Sequence, residues 1–114
     1  MADEQGFRVL GPSAELDDNW ANPYYLADLK LRVGVARVGG GLYAFDDIYQ
    51  SVNGPCPLTA GLLDGLWIMS QCDGSRFNLT TGKVERGPAT DPLTTHEVRE
   101  TDGQIEVKIV GRSA

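Results

Sequence analysis

The residues able to do chemistry in this sequence gather in two stretches, "DDIYQSVNGPCPLTAGLLDG" at 46–65 and "SQCDGSRF" at 70–77. Between them they hold both cysteines, Cys56 and Cys72, together with Tyr49, Ser51, Asn53, Ser70 and Asp73. Thiol-redox chemistry is one use for the two cysteines, yet they form no Cys-x-x-Cys pair and neither sits at a recognisable helix amino terminus that would lower a thiol pKa. The carboxylates of Asp46, Asp47, Asp64 and Asp73 could offer hard oxygen ligands to a cation, but a solvated acidic rim is the simpler reading. His96 is the only histidine. In "TTHEVRE" it alternates with Glu97 and Arg99, as a strand residue with ordinary contacts does. The triglycine at 39–41 lacks the Lys-Ser/Thr and the helix of a phosphate loop. "NLT" at 78–80 fits a glycosylation sequon by chance.

The elements that must position these residues read almost entirely as β. In "LKLRVGVARV" Leu31, Val33 and Val35 alternate with Arg32 and Gly34, the period of a strand with one buried face, and the glycines after it allow a reversal into "LYAFDD". A second apolar run, "LLDGLWIMSQC", leads into "RFNLTTGKV", where Phe77 and Leu79 share a face and Thr-Gly marks a turn. "HEVRETDGQIEVKIV" splits at Asp102-Gly103, a dipeptide suited to positive φ. Three hairpins with turn signals between them predict an all-β fold, a small antiparallel sandwich or barrel with two long loops at one end. At 114 residues the chain is the size of one domain, 1–114, with 1–6 and 111–114 expected as mobile tails.

Bulk properties narrow the function. A net charge of −6 and a pI near 4.6 would repel a phosphate backbone, which argues against a nucleic-acid partner. No apolar run approaches the roughly 20 residues of a membrane helix. The amino terminus carries acids instead of a basic and then apolar leader, so a cytoplasmic location is expected.

From about Leu29 to Val110 the series "LYAFDD", "CPLTAGLLDG", "QCDGSRFNLTTG" and "RGPATDPL" resembles soluble Rieske ferredoxins and the Rieske domains of oxygenases and cytochrome complexes. The resemblance implies a [2Fe–2S] cluster held by Cys-x-His from the first loop and Cys-x-x-His from the second. None of the four ligands is found. The second pair falls on Ser70 and Asp73. The first pair falls on Ser51 and Asn53 when counted back from Pro57-Leu58, or on Tyr49 and Ser51 when counted forward from Asp46-Asp47-Ile48. Serine hydroxyl and asparagine amide are weak, neutral donors where iron and sulfide favour thiolate and imidazole, so no cofactor is expected. In the high-potential branch of the family, extra cysteines at the positions of Cys56 and Cys72 form a disulfide. The same bridge is implied here, and closing a loop of that length constrains the unfolded chain by about 3 kcal/mol in the entropic view.

The segment "DDNWANPYYLADLK" at 17–30 departs from the short link expected after the first strand. Its Trp20, Tyr24 and Tyr25 either cover the open end of the sheet or meet a partner. Three function classes remain. The first is a cluster-free accessory or docking subunit of a redox enzyme, either an oxygenase system or one similar to nitrite reductases, whose small subunit resembles a Rieske domain without ligands. The second is an ordinary Rieske electron carrier whose ligands have been replaced. The third is a thiol-redox protein using Cys56 and Cys72.

Overall fold

The computed structural model describes residues 3–110; Met1, Ala2 and the expected tail 111–114 lie outside the described residues. No α-helix occurs among these residues. Twelve strands follow one another: β1 Phe7–Pro12, β2 Trp20–Leu26, β3 Leu31–Val38, β4 Gly41–Asp46, β5 Ile48–Ser51, β6 Gly54–Pro57, β7 Leu62–Asp64, β8 Trp67–Met69, β9 Arg76–Asn78, β10 Val84–Arg86, β11 Thr95–Thr101 and β12 Gln104–Lys108. They form an antiparallel six-stranded sheet in the order β1-β12-β11-β4-β3-β2, a four-stranded sheet β10-β9-β8-β7, and the hairpin β5-β6. The all-β, antiparallel architecture expected from the sequence is thus observed.

Each hairpin has a local cause. The β11–β12 turn places Asp102 at φ 51° and Gly103 at φ 77°, the left-handed pair that a two-residue reversal requires. The run at 62–69 is itself a hairpin, β7 against β8, because Gly65 at φ 57° reverses it after only three residues. The segment 17–30 is largely an extra edge strand, β2, laid along β3 from Trp20↔Arg37 to Leu26↔Leu31.

Strand β3 departs from the one-faced pattern read in the sequence. Leu31, Val33 and Val35 enter one core cluster with Leu16, Leu26, Ile105 and Val107. On its other face Ala36 enters a second cluster with Phe45, Leu58, Ile68, Phe77 and Leu79. Gly34 makes that second contact possible: a Cβ there would lie 2.4 Å from Phe45 Cε2. Small residues on the opposite face let an aromatic ring lie flat across the strand, a burial that alternation counting does not register. Residues 3–6, expected as part of a mobile tail, are instead folded into a turn. Asp3 Oδ1 accepts the amides of Gln5 and Phe7, and Asp3 Oδ2 accepts a hydrogen bond from Arg99.

Candidate functional site

The two loops singled out in the sequence meet at one end of the smaller sheets. The first is the β5–β6 hairpin, in which Tyr49 lies opposite Cys56 and Ser51 opposite Gly54. Its turn is closed locally, with Ser51 Oγ donating to the Gly54 carbonyl at 2.6 Å and accepting the Asn53 amide at 3.0 Å. The second loop, between β8 and β9, is a tight turn in which Ser70 N–H reaches the Ser75 carbonyl at 2.8 Å and Gly74 N–H reaches the Ser70 carbonyl at 2.9 Å. Asp73 Oδ1 accepts the Ser75 amide at 3.0 Å, the short-range bond by which aspartate favours turns.

Direct bonds then stitch loop to loop. Cys56 and Cys72 are joined in a disulfide with their Cα atoms 6.3 Å apart. Tyr49 Oη lies 2.9 Å from Asp73 Oδ2 and 3.2 Å from Ser75 Oγ. Ser75 Oγ also accepts the Ala89 amide at 2.9 Å, drawing in the 87–94 segment. Since a carboxylate can only accept, the Tyr49 hydroxyl donates to Asp73 and the Ser75 hydroxyl donates to Tyr49. Asn53 Nδ2 donates to the Cys72 carbonyl at 2.7 Å, and Val52 N–H approaches Asp73 Oδ2 at 3.4 Å. The Tyr49 ring stands edge-on to Phe77 with centroids 5.1 Å apart, which ties the tip to the core. Burial pushes the Tyr49 phenol up, and the Asp73 charge adds to this against the Ser75 hydrogen bond. Burial also pushes the Asp73 carboxyl up, but the Ser75 amide, the Tyr49 hydroxyl and the Val52 amide outweigh it and hold the group below its ordinary range.

The residues of both expected registers therefore converge, and they do so on one another. Tyr49 is the first-loop residue that reaches Asp73 through its side chain; Ser51 turns back into its own hairpin, and Asn53 contacts the backbone of the second loop. Ser70 is fully buried, with its hydroxyl 3.5 Å from Cys56 Sγ and accepting the Cys72 amide at 3.1 Å. A Rieske cluster needs two thiolates and two imidazoles. The thiols here are consumed by their bridge, and His96 is engaged elsewhere, its Nε2 2.7 Å from Asp46 Oδ1 and its Nδ1 accepting the Val110 amide at 3.0 Å. Among the described residues no group of three or more His, Cys, Asp or Glu side chains could hold a metal ion. The donor set at the loop tips does not fit a [2Fe–2S] cluster.

The acidic rim read in the sequence is not what these carboxylates form. Asp47 is fully buried, accepting from Arg32 Nε, the Thr59 amide at 2.7 Å and Thr59 Oγ1 at 2.9 Å. Asp46 faces His96 and Asp73 faces Tyr49, leaving Asp64 exposed. Of the three aromatic residues in β2, Tyr24 packs against the first core cluster, while Trp20 and Tyr25 are 60% and 64% exposed. Sequence reasoning passed over Ser75, the buried hydroxyl on which three segments converge. Its signal was the two-residue spacing from Asp73, which suits a turn but does not reveal the cross-loop contacts.

No established family profile matches the chain. Among curated proteins, ferredoxin CarAc of Metapseudomonas resinovorans is 37% identical over 81 residues, covering 67% of this chain and 74% of the relative. The 3-phenylpropionate/cinnamic acid dioxygenase ferredoxin subunit of Escherichia coli K12 is 33% identical over 78 residues, covering 68% and 72%. Among solved structures, one from a complex of reduced oxygenase and oxidized ferredoxin in carbazole 1,9a-dioxygenase superposes with a TM-score of 0.82 at 25% identity. That match covers 97% of this chain and 100% of the other. These are electron-transfer components of oxygenase systems, and the likeness extends over nearly the whole fold.

Proposed function

The chain belongs to the family of Rieske-type ferredoxins that serve as subunits of dioxygenases, and we propose that it works there without a cluster, as an accessory or docking subunit of a cytoplasmic redox enzyme. One observation carries this reading: where four soft ligands would be expected, Tyr49 donates a phenol to the Asp73 carboxylate, Ser51 closes its own hairpin, and Ser70 lies beside the Cys56–Cys72 disulfide. A family member with such a tip keeps the fold through which its relatives meet an oxygenase, but lacks the groups that would hold a one-electron centre. The likeness to a structure from a complex of oxygenase and ferredoxin supports a redox enzyme as partner.

The deciding experiment has two parts. Protein purified without chelators is assayed for iron and acid-labile sulfide and its visible spectrum recorded, and its binding to the oxygenase component of the same host is measured by calorimetry. Binding with no iron and no visible bands supports the docking role. A brown protein with about two irons per chain would instead make it an ordinary electron carrier, as its relatives are.

A further inference from the structure

We propose that the Cys56–Cys72 bridge is an exchange site for a dithiol, opened by an external thiolate at Cys72 with Cys56 as the leaving sulfur. This goes beyond the docking role and stands independently of the partner's identity. The bridge is the covalent link between the two loops, and its two ends differ. Cys56 is fully buried on β6, whereas Cys72 is partly exposed in the 71–73 turn beside the exposed Gln71. Exchange requires the incoming sulfur to approach in line with the bond it breaks, so access decides which sulfur is attacked. With Cys56 fully buried and Cys72 partly exposed, Cys72 is the end at which an incoming thiolate is placed.

The leaving sulfur also has a place to go. A thiolate released in an apolar interior is costly unless a donor faces it. Ser70 Oγ, itself fully buried, lies 3.5 Å from Cys56 Sγ. The same oxygen accepts the Cys72 amide at 3.1 Å, which leaves its proton to point at the sulfur. The balance is complete with a dithiol as the named reductant. Its first thiolate bonds to Cys72 Sγ as the S–S bond breaks and Cys56 takes the electron pair. Its second thiol then displaces Cys72 from the mixed disulfide, giving an oxidised dithiol and two protein thiols. The tip does not fall open on reduction, because Tyr49 still meets Asp73 and Asn53 still meets the Cys72 carbonyl. The cysteines thus stay close enough to re-form the bridge.

The test uses the folded, oxidised chain. Incubation with a Cys-x-x-Cys protein whose resolving cysteine is serine allows the mixed disulfide to accumulate, and mass spectrometry locates it; the adduct is expected on Cys72. In parallel, the rate of opening by millimolar dithiothreitol is followed by quenched alkylation. Ser70→Ala is expected to open about tenfold more slowly while its circular dichroism is unchanged, the loss of one hydrogen bond to a charged sulfur. An adduct on Cys56, or a bridge that opens only in denaturant, overturns the proposal. An unchanged rate in a folded Ser70→Ala protein overturns Cys56 as the leaving sulfur. Should that variant fail to fold, the adduct position in the unmodified chain decides. None of these readouts involves iron, so their failure would be distinct from failure of the cluster-free reading.

Discussion

Tyr49 Oη sits 2.9 Å from Asp73 Oδ2 and so joins the tip of one loop to the tip of the other by a neutral donor and a charged acceptor. Tyr49→Phe keeps the ring against Phe77 but withdraws the donor. It is expected to lower stability by about 1 kcal/mol, since Asp73 retains two amides and the site is near solvent. Asp73→Ala removes the acceptor from Tyr49 and from the Ser75 amide together, and is expected to cost about 2 kcal/mol. Urea unfolding of both variants and of the double variant checks this: the two losses should fall short of adding, because they share one bond.

The same pair sets a pH window. Asp73 is held below its ordinary range in the folded chain, so its stabilisation is present above the unfolded pKa of about 3.9 and is lost as pH falls through the folded value. Tyr49 is pushed above its ordinary range, so its contribution is present below about pH 10 and is lost as pH rises through the folded pKa. Asp3, Asp28 and Glu100 are also depressed, and burial raises Tyr24. Melting temperature against pH should therefore show a plateau with a shared decline at each end. Tyr49→Phe should soften the alkaline decline without abolishing it, and an identical alkaline limb in both proteins would refute this assignment.

Asp47 is a fully buried carboxylate, and its loss is expected to be costly. It receives Arg32, the Thr59 amide and the Thr59 hydroxyl, while its backbone carbonyl accepts the Leu58 amide. Asp47→Ala strands all three side-chain partners and is expected to cost about 3 kcal/mol. Asp47→Asn, which keeps an acceptor, should cost less. Thermal denaturation ranks the two; equal losses would mean that packing and not charge is what matters here.

How much of this was legible in the sequence depends on the range over which each residue acts. The β11–β12 reversal was readable because Asp102 and Gly103 determine it between them. The β7–β8 hairpin was missed because its strands are three residues long, too short for alternation to rise above the surrounding apolar run. The resemblance drew attention to the two loop tips, but the contacts of Tyr49 were not readable, since they depend on Asp73 and Ser75 more than 20 positions away. The burial of Asp47 was likewise hidden, because a DD pair at the start of a loop looks solvated until Arg32 and Thr59 are brought to it.

Gly34 tests the two-faced burial of β3 that the sequence pattern did not reveal. A methyl group there would sit 2.4 Å from the Phe45 ring and 2.9 Å from Thr59 Cγ2, so one of these neighbours would have to shift. Gly34→Ala is expected to destabilise by about 2 kcal/mol through overpacking. Pairing it with Phe45→Leu should recover part of the loss, and urea midpoints measure both. A neutral Gly34→Ala would mean that the ring does not cross the strand.

The last prediction asks whether the ligands alone separate this chain from its relatives. Tyr49 and Ser51 lie two apart on strand β5, so their side chains leave the same face, the geometry a Cys-x-His pair needs. Tyr49 already touches Asp73, whereas Asn53 lies beyond the strand and reaches only the Cys72 carbonyl. The replacement Tyr49→Cys, Ser51→His, Ser70→Cys and Asp73→His is therefore expected to take up iron and sulfide on reconstitution. The alternative set, with Ser51→Cys and Asn53→His in place of the first two, should take up none. Loading should stay below one cluster per chain, because ligands must be held to roughly 0.5 Å and the first loop is shaped around a phenol. Iron and acid-labile sulfide per chain are the measurement. Equal loading by the two sets would show that the first loop is too mobile to define a register, and loading of the unsubstituted chain would end the cluster-free reading altogether.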